Sequence, residues 1–199
     1  MPRNLFRSLI AALVLATAST ASTASATVMV EVPLEDLIRQ ADVIVRGTVT
    51  SSAVRLEMRE GTLEPQTLTT LRVTEWIAGS GGETVQLREL GGEWQGGGVR
   101  YDGTPEYRIG EEVVVFLERR PEAPHDLRTL AMVQGKFSIR HGVPGVPSVV
   151  VRDLSGIAFA SWADGRQTVS EPGHDPAMEL ETFLDFVRRT RRAFDGGAQ

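Results

Sequence analysis

The sequence predicts a mainly β fold, a barrel or sandwich with helices near its two ends. Two observations carry this. Short β-rich runs separated by Gly turns fill the middle of the chain, among them residues 42–51 (DVIVRGTVTS), 67–77 (TLTTLRVTEWI) and 112–117 (EVVVFL). Helical periodicity appears only at residues 34–41 and 175–194. At 41% hydrophobic and 24% charged, the 199 residues have the composition of a folded globular chain. No Cys is present, which excludes a disulfide scaffold, a thiolate zinc site and a Cys nucleophile. Lys136 is the only Lys beside 20 Arg.

Residues 1–26 read as a secretory signal peptide. Arg3 and Arg7 form the positive start, residues 9–18 (LIAALVLATA) the apolar stretch, and Ala24-Ser25-Ala26 the cleavage site. The apolar stretch is about half of the roughly 20 residues a membrane span needs. Cleavage would leave residues 27–199 as a single domain, exported to the periplasm or the extracellular space. Removing two Arg and no acid would shift the net charge from −5 to −7.

Residues 27–32 alternate weakly and read as a short strand. In 34–41 (LEDLIRQA), Leu34, Leu37, Ile38 and Ala41 recur at helical spacing. From Asp42 the period becomes two, with Val43, Val45, Gly47 and Val49 on one face. A Gly in mid-strand marks a bulge or a tight bend. Gly61 and Pro65 punctuate a turn before the long run 67–77, which Gly79–Gly82 closes. In the next strand Val85 and Leu87 share a face. Residues 91–98 (GGEWQGGG) read as a hairpin loop, and 99–101 as a short strand. Residues 112–117 hold VVVFL without a polar break, as a strand buried on both faces requires. A loop at 119–124, strands at 127–133 and 136–140, and weaker strands at 149–151 and 157–160 follow. Asp175 and Pro176 are the expected cap and first turn of the C-terminal helix, about 175–194. Leu180, Phe183, Leu184 and Val187 form its apolar face.

The order LEDLIRQADVIVRGTV, TLRVTEWIAG, YRIGEEVVVFLE, QGKF resembles exported bacterial domains of the tissue-inhibitor-of-metalloproteinase and netrin-module superfamily, over about residues 34–140. The resemblance implies a five-stranded OB-type barrel with additional strands and flanking helices. It also implies binding to a protein, with regulation of a secreted protease as one form of it. The animal inhibitors act through an N-terminal Cys on the protease zinc. This chain has no Cys, so that mechanism does not transfer.

No residue pattern announces catalysis, a metal or a cofactor. GGEWQGGG lacks the spacing of a phosphate loop. His125, His141 and His174 have no metal-ligand spacing. A Ser–His–Asp triad has no G-x-S-x-G elbow behind it. Glu111 and Glu112 are strand neighbours that point apart. Glu35 and Asp36 suit a helix N-terminus, while Glu179 and Glu181 begin the C-terminal helix. Arg188-Arg189-Thr190-Arg191-Arg192 reads as a solvated helix end, and Lys136 as a surface contact or an edge-strand charge. The expectation is an exported, non-catalytic binding module without cofactor, metal, nucleic acid or membrane-span requirement. Trp94 and Tyr101 in the Gly-rich loop are its candidate partner-binding residues. The alternative is a barrel for an envelope glycan or other small ligand, which Trp76, Trp94 and Tyr101 around one groove would favour.

Overall fold

A computed structural model describes residues 27–59, 61–120, 123–163, 166–170 and 175–197. The expected signal peptide and His174 lie outside the described residues.

The elements run β1 (Thr27–Val30), α1 (Leu34–Gln40), β2 (Val43–Arg59), β3 (Thr62–Ala78), β4 (Thr84–Leu90), β5 (Gly92–Trp94), β6 (Gly97–Val99), β7 (Glu112–Arg120) and β8 (Ala123–Thr129). A 3-10 turn (Met132–Gly135) leads to β9 (Lys136–Arg140), β10 (Val149–Val151), β11 (Ile157–Ala163), β12 (Arg166–Ser170), β13 (Met178–Glu179) and α2 (Leu180–Gly197). The protein is mainly β, with extra strands and a C-terminal helix as expected. Strands β2, β3, β4, β8 and β7 form a ring of five, closed by β7 against β2. Antiparallel ladders join its neighbours except at the parallel β4–β8 seam, where Leu87↔Leu127 is the one pair. The far edge of β7 is used twice. Its C-terminal half pairs with β8 and its N-terminal half with β9, which β10 and β13 extend. Strand β1 lies parallel to β11 in a separate sheet with β12.

The unbroken VVVFL run serves two cores. Val113, Val115 and Leu117 face into the ring with Val43, Val45, Val49, Leu71, Val85, Leu87 and Leu127. Val114 and Phe116 face outward, where Ile44, Phe137 and Ile139 meet Leu37 and Ile38 of α1 and Leu180, Phe183, Leu184 and Val187 of α2. Phe116, Phe137 and Phe183 stack in series, with centroids 5.5 and 4.9 Å apart. Gly47 marks a bulge in β2, where the β2–β3 register shifts. A Cβ there would lie 2.6 Å from the Arg72 carbonyl oxygen, so the close approach of the two backbones excludes a side chain.

Several expectations need correction. The C-terminal helix starts at Leu180 and not near Asp175. Met178 and Glu179 are drawn into the sheet by β10, and Leu180 N–H donates to the Ser148 carbonyl. Asp175 pairs with Arg152 at 2.5 Å, so a tertiary ion pair takes the carboxylate that would have capped a helix. Pro65 is no turn residue: it sits within β3 opposite Leu56, inside a ladder whose end pair is Arg59↔Thr62. The strand expected at 127–133 ends at Thr129, because Ala131 and Met132 adopt positive φ and start the 3-10 turn. At 119–124, β7 extends through Arg120 and β8 begins at Ala123. The short strand expected at 99–101 is β6 instead, two residues earlier.

The basic run is not a merely solvated helix end. Arg188 binds Glu75 of β3 through two parallel hydrogen bonds of 2.8 and 2.7 Å. Arg191 donates to the Ile38 and Ala41 carbonyls at 3.1 and 2.7 Å, satisfying the C-terminal end of α1. Arg191→Ala is therefore expected to cost about 1–3 kcal/mol by stranding those partly buried acceptors. The exposed Arg192→Ala should change stability by no more than about 0.5 kcal/mol. Paired thermal melts check the difference.

Candidate functional site

Along β4 the inward positions alternate Val85, Leu87, Glu89. The first two are apolar and join the ring core. The third puts a carboxylate into the same interior, at the end where β4 and β8 have parted after their single pair. Glu89 is only 6% exposed. Its Oε1 accepts the Thr129 backbone N–H at 2.8 Å and the Thr129 hydroxyl at 2.6 Å, so the side chain bridges the open seam. The Tyr107 hydroxyl lies 2.6 Å from that same Thr129 oxygen. Since Thr129 donates to Glu89, Tyr107 donates to Thr129. Burial pushes the Glu89 carboxyl up to about 7, against the lowering effect of the two Thr129 bonds. Burial, reinforced by the Glu89 charge, holds the Tyr107 phenol well above its ordinary value.

Tyr107 belongs to the strap 100–111, which crosses this end of the ring. Gly103 accepts the Val133 N–H at 2.8 Å, and Pro105 is buried. Lys136 anchors the strap from the other side. Its ammonium lies 5.0 Å from the Tyr107 ring centroid, 2.9 Å from Glu111, and donates to the Glu106 carbonyl. It is not a solvated edge-strand charge, because it pairs with Val115 of β7 and its ammonium is held by Glu111 and the strap. Burial lowers the Lys136 pKa, and the Glu111 partner opposes that shift.

Between strap and ring lies an open cleft of about 630 Å³. The β5–β6 hairpin, made by GGEWQGGG, forms one wall; Ser52, Val54 and Thr67 form another, and Glu89 and Tyr107 line its floor. Gly92 lets the hairpin lie against the ring: it has φ +137°, and a Cβ would meet Val54 at 2.5 Å. Glu89 also lines a second hollow, with Arg128, Thr129 and Met132.

Tyr101 is 37% exposed and lines the cleft; Trp94 is 40% exposed on β5. Trp76 does not join them. It stands at the opposite end of the β3–β4 ladder, where its Nε1 donates to Gly82 at 3.1 Å and its ring covers Gly81. The three-aromatic groove is therefore absent among the described residues, because Trp76 serves the β3–β4 turn.

Comparison with protein-family models, with curated proteins and with solved structures found no match. The site is accordingly read from its own chemistry.

The paired carboxylates take separate roles. Glu111 binds Lys136 and the Ser138 hydroxyl, at 2.9 and 2.5 Å. Glu112 binds Arg46 and His141, each at 2.7 Å. Burial would raise both pKa values, but these bonds outweigh it and both are lowered. His141 also lies 3.1 Å from the Ser148 hydroxyl, cross-linking β7 to the chain before β10. His125 is exposed on β8. Among the described residues no three His, Asp or Glu side chains are grouped to hold a metal ion, and no helix is long and apolar enough to cross a membrane.

Glu89, Thr129 and Tyr107 went unnoticed in the sequence. For Glu89 a signal was present: a charged residue continues the inward alternation of Val85 and Leu87. Thr129 and Tyr107 have no such mark, since long-range folding alone brings them to it.

Proposed function

We propose that this protein is an exported, non-catalytic binding module that engages a protein partner through the β5–β6 hairpin and the adjoining cleft. The observation that carries this reading is the pair of exposed aromatics, Trp94 on the hairpin and Tyr101 at the start of the strap, beside the cleft that hairpin and strap wall. Tyr and Trp anchor interfaces at low cost in side-chain entropy. Regulation of a secreted protease is the form that the family resemblance implies, with loops taking the place of an N-terminal Cys.

Binding of an envelope glycan or other small ligand is the second reading. The cleft volume favours it, because pockets for small molecules run to about 300–1,000 Å³.

A pull-down from secreted and envelope fractions, followed by titration of the captured partner, tests the first reading. Trp94→Ala with Tyr101→Ala should weaken binding by about 2 kcal/mol or more. A short N-terminal extension should leave it unchanged. Unchanged affinity in the double variant overturns the hairpin assignment, and a glycan-array hit without a protein partner replaces it with the second reading.

A further inference from the structure

Resting on that reading, we infer that the cleft receives a cationic side chain, Lys or Arg, from the partner, seated on the Glu89 carboxylate at its floor. Glu89 lines the cleft from a buried position, yet no ion pair joins it among the described residues. Of the cations around it, Arg108 lines the cleft without an ion pair to Glu89, and the others are committed elsewhere. Arg128 binds Glu118 at 2.7 Å, Lys136 binds Glu111 at 2.9 Å, Arg88 binds Asp126 at 2.9 Å and Arg100 binds Glu106 at 2.9 Å. Both Thr129 hydrogen bonds fall on Oε1, so neither is directed to Oε2.

A buried carboxylate lacking a counter-ion is costly, and a cation supplies both the charge and the hydrogen bond it lacks. A neutral hydroxyl would supply only the second. The walls suit a long basic side chain. Val54, Val99 and Tyr101 give apolar surface for its methylene stem, and Glu93 and Glu106 stand beside Arg100 and Arg108 around the cleft. Charged and titratable groups facing Glu89 are Arg128 and Glu118 from β8 and β7, and Tyr107 from the strap. Arg128 and Glu118 neutralise each other, and Tyr107 stays protonated through neutral pH. Glu89 is thus the group whose ionisation near pH 7 sets the affinity: a cation selects the carboxylate form. Binding tightens with pH up to about 7 and levels off above it.

The test is titration of the mature protein by two-dimensional amide NMR with three probes: Nα-acetyl-lysine amide, Nα-acetyl-arginine amide and the neutral Nα-acetyl-norleucine amide. The Lys or Arg probe should produce saturable shifts at the Gly91, Tyr107 and Thr129 amides, and norleucine should not. Affinity should fall about tenfold per pH unit below 7. Glu89→Gln, whose spectrum reports its fold directly, should weaken the basic probe about tenfold or more. Equal binding of Lys and norleucine probes, equal binding by Glu89→Gln, or no saturable shift at these amides up to the probe's solubility overturns the inference. Such a failure is separable from failure of the hairpin reading, which is decided by the Trp94 and Tyr101 variants against the captured partner.

Discussion

Val115→Asp should abolish cooperative folding. Val115 is fully buried at the middle of β7, paired with Val45 on one side and Lys136 on the other. Its side chain faces the ring interior among Val45, Leu71, Leu87, Val113 and Leu117. The ammonium of Lys136, its cross-strand neighbour, is already held by Glu111 and the Glu106 carbonyl, so an aspartate there gains no free counter-ion. It must be desolvated as a charge or held protonated, which costs several kcal/mol against a total stability of ~5–15 kcal/mol. Trp94→Ala removes a side chain from a hairpin outside both cores and should cost less than about 1 kcal/mol. Circular dichroism melts of the two variants give the comparison. A cooperative melt of Val115→Asp near that of the unsubstituted protein contradicts the two-sided burial of β7.

Stability should fall as pH rises from 4.5 to about 7, by about 3 kcal/mol from Glu89 alone. The sign follows from proton counting. Glu89 has a folded pKa of about 7 against an unfolded value of 4.5, so between these values the folded state binds more protons. Its contribution is complete below 4.5, is lost on raising the pH through 7, and stays lost above. Glu111, Glu112 and Asp153 act oppositely, since their folded values are lowered. Their stabilisation is present above the unfolded value and is lost in acid. The two effects occupy different pH windows, so Glu89→Gln separates them. Glutamine retains an acceptor for the Thr129 N–H and hydroxyl and carries no charge to desolvate. At pH 8 the variant should melt several degrees above the unsubstituted protein, and at pH 5 the advantage should vanish. Parallel melts from pH 4.5 to 8.5 measure it. Equal midpoints at pH 8 mean that the carboxylate is not buried as a charge.

Much of the architecture was legible because its signals are local. Val43, Val45 and Val49 alternate inward as their period of two requires. VVVFL is buried on both faces because it lacks a polar position, and Gly47 bulges because the neighbouring backbone leaves no space for a Cβ. Leu37 and Ile38 of α1, and Phe183, Leu184 and Val187 of α2, pack as helical spacing dictates. These patterns depend on side-chain period and hydrophobicity, which sequence carries directly.

The errors have one physical source: polar groups whose partners are distant in sequence. Asp175 is a good helix cap by type, but Arg152 takes its carboxylate while β10 takes the following backbone. Arg188 and Arg191 look solvated in a basic run, but Glu75 lies 113 residues away and the carbonyls of Ile38 and Ala41 more than 149 away. Lys136 looks like an edge charge until Glu111 and the Tyr107 ring surround it.

The sequence by itself determined a mainly β chain with its central strand, its two apolar helix faces and its Gly-rich hairpin, because periodicity and turn chemistry act between near neighbours. Only the tertiary structure decided that β4 and β8 meet at one pair, that Glu89 bridges the gap to Thr129 and Tyr107, and that the hairpin and strap enclose a cleft over them. The reason is that burial and pairing of a charge depend on which distant segments surround it, and closure of the ring sets that environment.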